Sequence, residues 1–128
     1  MAFDLTTVFE AIGSGKTLRH TKTYSGEGHV GIDQPVTDGL TDLEIAMTLD
    51  VSQVTAFYMV ADQDMTVETN NAGAPVDTIV LKANVPYVWN SDTYDTFLLG
   101  TDVTKLFLTN GSGTDGTFKL EAVYDATP

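Results

Sequence analysis

The segment Gly13–Thr17, GSGKT, is the part of the sequence that most resembles a phosphate-binding loop. The full pattern requires a further glycine five residues before Gly15, where this chain has Glu10. It also requires a helix after the loop, because the amino terminus of that helix helps to hold the anion. Here an alternating, strand-like segment follows, so we do not expect nucleotide binding.

Metal binding is the second chemistry to consider. His20, His29 and Glu27 could hold a transition metal if they converged, but their spacing matches no ligand signature. Aspartates recur in turn-like segments, and calcium needs about six to eight oxygens around one point. Aspartate is also a favoured turn residue, because its side chain bonds to nearby backbone. We expect solvent-facing histidines and no metal or other cofactor, with a calcium site between loops as the alternative.

Hydrolysis would require an activated nucleophile or two carboxylates in different environments. No serine lies in a nucleophile-elbow sequence. Glu44 and Glu68 could pair across a sheet, as in a β-sandwich glycosidase. A chain of 128 residues with one tryptophan leaves little with which to build a sugar cleft. We therefore predict that the chain is not an enzyme.

Tyr87, Trp89 and Tyr94 form an aromatic group that could contact a ligand. Tyr87 and Trp89 share one face of the segment VPYVW, and Val88 lies on the other. Aromatic side chains on a β-sandwich bind sugars in carbohydrate-binding modules, and they also anchor protein interfaces. Packing into the core or a subunit interface is the favoured interpretation, and a sugar platform is the alternative.

Short strands must position all of these residues. The segment LTDLEIAMTLDV has an apolar residue at every second position from Leu43 to Val51. Further strand-like segments follow, with turn signals about every ten residues, and GSGTD is predicted to be a hairpin loop. About eight strands without interleaved helices predict an all-β fold, an antiparallel two-sheet sandwich with jelly-roll-like connections. A closed barrel is the alternative.

The beginning of the chain differs from the rest. We predict an N-terminal arm at residues 1–22 and a β-sandwich domain at residues 23–128. The segment FDLTTVFEAIGSG could form a short helix with Val8, Phe9 and Ile12 on one side. It could also be extended, because threonine and valine are poor helix formers. Both alternatives stay open at this point.

The net charge of −12 is unevenly distributed. Residues 1–30 balance three basic against three acidic side chains, whereas residues 31–128 carry the whole −12. Such a surface repels nucleic acid phosphates and anionic lipids, so we expect neither as a partner. The short basic stretch Lys16–Lys22 is interpreted first as a solvated strand with three chance positive charges, and docking on an acidic protein surface is the alternative. Cysteine is absent, which excludes disulfides, and no apolar stretch approaches the ~20 residues of a membrane helix.

Three long segments carry a family resemblance: GHVGIDQPVTDGLTDLEIAMTLDVS, YMVADQDMTVETNNAGAPVDTIVLKANVPYVWNSD and DVTKLFLTNGSGTDGTFKLEAVYD. They resemble small β-rich virion structural proteins of tailed bacteriophages, similar to head decoration (cement) proteins, over about residues 23–125. The resemblance implies a capsid-surface protein, made in the host cytoplasm, that binds the major capsid protein shell non-covalently and stabilises it. It also implies a homo-oligomer.

Under this interpretation the arm contacts the shell, and the acidic sandwich faces outward or packs against its copies. The predicted capsid or partner contacts are Phe3, Lys16, Arg19, His20 and Lys22. A carbohydrate-binding module is one alternative function. The other is a tail or neck adaptor, which would differ mainly in its copy number in the virion.

Overall fold

The computed structural model describes residues 3–93 and 95–125, which form antiparallel strands and no α-helix. A single 3₁₀ turn, Val51–Gln53, begins at Asp50, whose side chain accepts from the Ser52 N–H. The prediction of an all-β fold is confirmed. The strands in chain order are β1 (Phe3–Gly13), β2 (Lys16–Gly26), β3 (Gly28–Val36), β4 (Leu43–Leu49), β5 (Val54–Ala61), β6 (Met65–Thr69), β7 (Thr78–Leu81), β8 (Tyr87–Asn90), β9 (Val103–Thr109) and β10 (Gly116–Tyr124).

Strands β3 to β10 form two four-stranded sheets. The first sheet has the order β3-β10-β5-β8, and the second has the order β4-β9-β6-β7. Among these strands only β6 and β7 are both consecutive and paired, and every other connection passes from one sheet to the other. Eight strands arranged in this way form a jelly roll. The predicted sandwich is therefore confirmed, and the closed barrel is excluded.

The loop GSGTD shows why these connections matter. It was predicted to be a hairpin, and this is wrong, because β9 lies in the second sheet and β10 in the first. The fully buried Asn110 holds the crossing in place. Its amide nitrogen donates to the carbonyl of Val36 at 2.8 Å and to that of Thr114 at 2.9 Å. The two sheets are thus linked at this end by a side chain instead of a tight turn.

The core lies between the two sheets. Alternate residues of β4, β5, β6, β9 and β10 point inward, as the two-residue period of a strand requires. In β4 the predicted alternation is present, with Met47 and Leu49 buried. The largest fully buried side chains are Phe57, Phe118, Leu49, Met59, Met65, Leu106, Leu108 and Leu120.

Strands β1 and β2 form a separate two-stranded sheet, paired from Phe3–Gly26 to Gly13–Lys16. The helix alternative for this segment is therefore wrong. Ser14 and Gly15 make the turn with positive φ angles of 51° and 76°, which suits a two-residue hairpin. The GSGKT segment is this turn and the start of β2. We call residues 3–26 the arm and residues 27–125 the body, since β2 continues past the predicted boundary at residue 22.

Candidate functional site

The arm carries more than half of the large hydrophobic side chains that are exposed in the described residues. At about 3.3 Å per residue, its eleven-residue strands are about 36 Å long. Nine large hydrophobic side chains are exposed in the described part of the chain, and five of them lie on the arm: Phe3, Val8, Phe9, Ile12 and Leu18. Ile12 and Leu18, on either side of the turn, are 75% and 70% exposed. Exposed apolar residues grouped on one element are typical of an interaction surface.

The base of the arm is packed closely against the body. A Cβ atom at Gly26 would lie 2.4 Å from the Tyr124 carbonyl oxygen and 2.6 Å from Cγ1 of Val123. The Thr55 hydroxyl lies within hydrogen-bond reach of the carbonyls of Ser25, at 3.4 Å, and Val123, at 3.1 Å. Only glycine fits at residue 26, so this position fixes where the arm leaves the sandwich.

Two side-chain contacts hold the proximal half of the arm. The Phe3 ring stacks on the His29 ring at a centroid distance of 5.5 Å, and His29 Nε2 pairs with a carboxylate oxygen of Glu121. On the other strand, Lys22 Nζ pairs with Asp92 Oδ2. The hydrogen bond to Asp92 and its negative charge raise the pKa of Lys22, and the same contacts with Lys22 lower the pKa of Asp92.

The predicted contact residues thus fall into two groups. Phe3 and Lys22 contact the body and orient the arm, as described above. Lys16, Arg19 and His20 lie on the exposed distal half, where Arg19 Nε is 3.9 Å from a carboxylate oxygen of Glu10. We call residues 10–19 the tip.

Sequence reasoning missed Ile12 and Leu18 as candidate contact residues. Ile12 had been assigned to the apolar side of a possible helix, where it would be covered. Apolar residues that flank a glycine-rich turn between two strand-like segments were the signal that could have found both. In a free hairpin nothing covers such residues.

A groove runs between β1 and the outer face of the first sheet. It has a volume of about 310 Å³ and is open on one side. Its walls are mostly apolar, and Glu121 is the charged residue among them. Within the described chain β1 pairs only with β2, so its other edge, which lines the groove, has unpaired backbone groups. The lining residues are Leu5–Phe9, Tyr58, Val88 and Glu121.

The aromatic group lies on the inner side of β8. Trp89 stacks on Phe97 at a centroid distance of 4.5 Å, and its Nε1 donates to the Asp95 carbonyl at 3.1 Å. The Tyr87 hydroxyl accepts from the Leu98 N–H, and burial raises the pKa of Tyr87. Phe97 covers one face of the indole, so that face is closed to a sugar ring. Tyr94, the third predicted member, lies outside the described residues.

The carboxylates singled out for hydrolysis do not meet. Glu44 and Glu68 are both paired with Phe107, on opposite sides of β9, so about two strand spacings, ~9.6 Å, separate their backbones. Glu44 instead forms an ion pair with Lys105 at 3.2 Å. Burial, followed by contact with Asp42, raises the pKa of Glu68. The arrangement is that of a strand surface with a buried phenylalanine, Phe107, at its centre.

Across residues 3–93 and 95–125, no three histidine, aspartate or glutamate side chains form a group that could hold a metal ion. No helix in the same residues has the length and apolar character needed to cross a membrane.

Comparisons of the chain with models of protein families, with curated protein sequences and with solved structures found no match. What the chain does must therefore be inferred from its own side chains and contacts.

Proposed function

We propose that this chain is a virion structural protein of a tailed bacteriophage. In this role it decorates the capsid shell, binds the major capsid protein non-covalently and stabilises the assembled shell. The arm makes the contact that holds each copy in the assembly. The protein acts by binding and not by catalysis, at the capsid surface, after synthesis in the host cytoplasm.

The observation that carries this proposal is the arm itself. A closed jelly-roll body supports a hairpin with two highly exposed aliphatic side chains, Ile12 and Leu18, at its end. Burial of such side chains against another protein is favourable, because apolar surface removed from water contributes about 25 cal/mol per Å². Jelly rolls also occur in viral capsid domains, but they serve other functions too, so the fold supports the proposal only as an analogy.

Charge gives the proposal a second support. Residues 1–26 contain three basic and two acidic side chains, a net charge of +1. The other residues carry a net charge of −13, which gives the chain its total of −12. Repulsion between acidic bodies keeps free copies soluble before assembly. A basic tip on such a body directs association through the arm.

The test is a short-arm variant that lacks residues 10–13 and 16–19 and keeps the Ser14–Gly15 turn. An even number of residues is removed from each strand, so every remaining side chain keeps its face of the hairpin. We expect this variant to fold with an unchanged body and to lose most of its binding to purified capsid shells in a co-sedimentation assay. Full occupancy of the shells by the short-arm variant would contradict the arm's role.

The matched control is Val80→Ser, since Val80 is 68% exposed on β7 of the body. We expect it to bind shells like the wild type. The copy number in purified particles tests the assignment to the head. A copy number of the same order as that of the major capsid protein supports decoration, whereas a few copies per particle would indicate a tail or neck adaptor.

A further inference from the structure

We propose that the tip of one copy's arm docks in the groove beside the arm of a second copy. The apolar contacts are Ile12 and Leu18 of the donor and Phe9, Tyr58 and Val88 of the acceptor. This inference deepens the proposed function by naming a partner for the arm, and it rests on the arm's role as the contact element.

The donor and the acceptor are different segments of the same arm. The groove is lined by residues 5–9 of β1, whereas the tip is residues 10–19. One copy can therefore give its tip and receive another copy's tip at the same time. Reciprocal exchange of this kind closes a two-fold dimer, and exchange in one direction around a circle closes a ring.

Shape and polarity match between tip and groove. The groove has a volume of about 310 Å³, which is enough to receive aliphatic side chains. Its walls include the rings of Phe9 and Tyr58 and the side chain of Val88. The open edge of β1 also offers backbone N–H and C=O groups to a strand that enters the groove.

Charge selects a second copy as the occupant. Two bodies of this chain repel each other, because each carries a net charge of −13. The arm is the segment with a net positive charge, and its tip includes Lys16 and Arg19. Lys16 forms no ion pair within the described residues, so its charge is available to a neighbouring body. Contact between arm and body is therefore the electrostatically favoured contact between copies.

The experiment is sedimentation velocity on the purified full-length chain, without shells. A tip variant carries Ile12→Asp and Leu18→Asp, and a groove variant carries Val88→Glu. The control is Val80→Glu, the same type of substitution on an exposed residue of the second sheet. Far-UV circular dichroism checks that each variant folds like the wild type.

We expect the wild type and the control to associate in the micromolar range. The tip and groove variants should each have a dissociation constant at least about a hundredfold weaker. A mixture of the two should associate, since one partner supplies an intact groove and the other an intact tip. With one contact in place of two, the mixed dimer should be weaker than the wild-type assembly.

Three results would overturn the inference. The wild type could sediment as a monomer throughout the micromolar range. The groove variant could assemble like the wild type, which would indicate that tips contact tips. The mixture could fail to associate, which would mean that the tip and the groove are not partners. None of these results bears on shell binding, because no shell is present. Loss of the proposed function would instead be detected in the co-sedimentation assay with shells.

Discussion

The arm and the body use the same alternation of side chains, but they bury it to very different extents. In β5 of the body, five of the eight residues are buried, whereas β1 of the arm has no buried residue. The body is stabilised by apolar side chains enclosed between two sheets. The arm has its ladder of eleven residue pairs, its packed base and the contacts of Phe3 and Lys22 with the body. Since a two-stranded hairpin is marginally stable in water, the arm depends on the body or on a partner.

This comparison implies that the two regions respond differently to the loss of an apolar side chain. Phe57 is fully buried and packs against Phe97 at a centroid distance of 5.1 Å. We expect Phe57→Ala to lower the free energy of unfolding by about 3–5 kcal/mol, because it leaves a cavity in the core. Ile12→Ala, at a 75% exposed position, should change it by less than about 0.5 kcal/mol.

Chemical denaturation of dilute, monomeric protein, followed by circular dichroism, measures both values. Dilution matters because the docking proposed above would bury Ile12. If Ile12→Ala destabilised the monomer as much as Phe57→Ala, the tip would belong to the cooperative core, and the comparison between arm and body would fail.

The joint between arm and body gives the next largest effect. Gly26→Ala would place a methyl group 2.4 Å from the Tyr124 carbonyl oxygen and 2.6 Å from Cγ1 of Val123, both well inside van der Waals contact. The Tyr124 backbone cannot move away as a flexible side chain could. We expect a loss of about 1–3 kcal/mol, the usual range for an overpacked site. The loss should appear mainly as faster hydrogen exchange at the arm amides, since the body retains its core.

Gly13→Ala is the matched control for this substitution. It lies at the far end of the same hairpin, and an added Cβ would meet nothing within 4 Å. Its arm amides should exchange like those of the wild type. Equal effects of the two substitutions would show that the base does not hold the arm.

The comparison also shows which features could be predicted from the sequence. Strands such as β4 could be predicted because one of their faces is buried, so apolar residues occur at every second position of the sequence. The arm has no buried face over most of its length, so β1 could be taken for a helix. What identifies it as a strand is its pairing with β2, and pairing leaves little trace in a single segment.

The connections between strands were harder to predict for a similar reason. GSGTD contains the residues of a tight turn, but the same residues also suit a loop between sheets. The hydrogen bond from Asn110 to the Val36 carbonyl favours the loop between sheets over the hairpin, and these two residues lie 74 positions apart in the sequence. The groove is formed by the outer face of the first sheet together with the arm that lies beside it. The sequence does not show where the arm lies, so residues such as Val88 could not be assigned to the groove.

The smallest expected effect concerns the ion pair between Lys22 and Asp92, which fixes the arm above the body. The pKa of Asp92 lies below its ordinary value of 3.8, so this contribution is fully present above pH 3.8 and is lost as the pH falls through the lowered value. The pKa of Lys22 lies above 10.5, so the contribution is present below pH 10.5 and is lost as the pH rises through the raised value. The arm should therefore be held most firmly between these limits.

Hydrogen exchange of the arm amides, expressed as protection factors, measures this effect at pH 7 and at pH 3. Acid acts on the whole protein, so pH alone does not isolate the pair. Lys22→Met, Asp92→Asn and the double variant separate it. If the pair acts as described, each single substitution lowers protection at pH 7 and the double variant lowers it little further. Both side chains are more than half exposed, so 1 M salt should remove much of the difference. Additive effects of the two substitutions would mean that Lys22 and Asp92 do not hold the arm through their ion pair. Phe3 and Gly26 would then be the contacts that orient the arm.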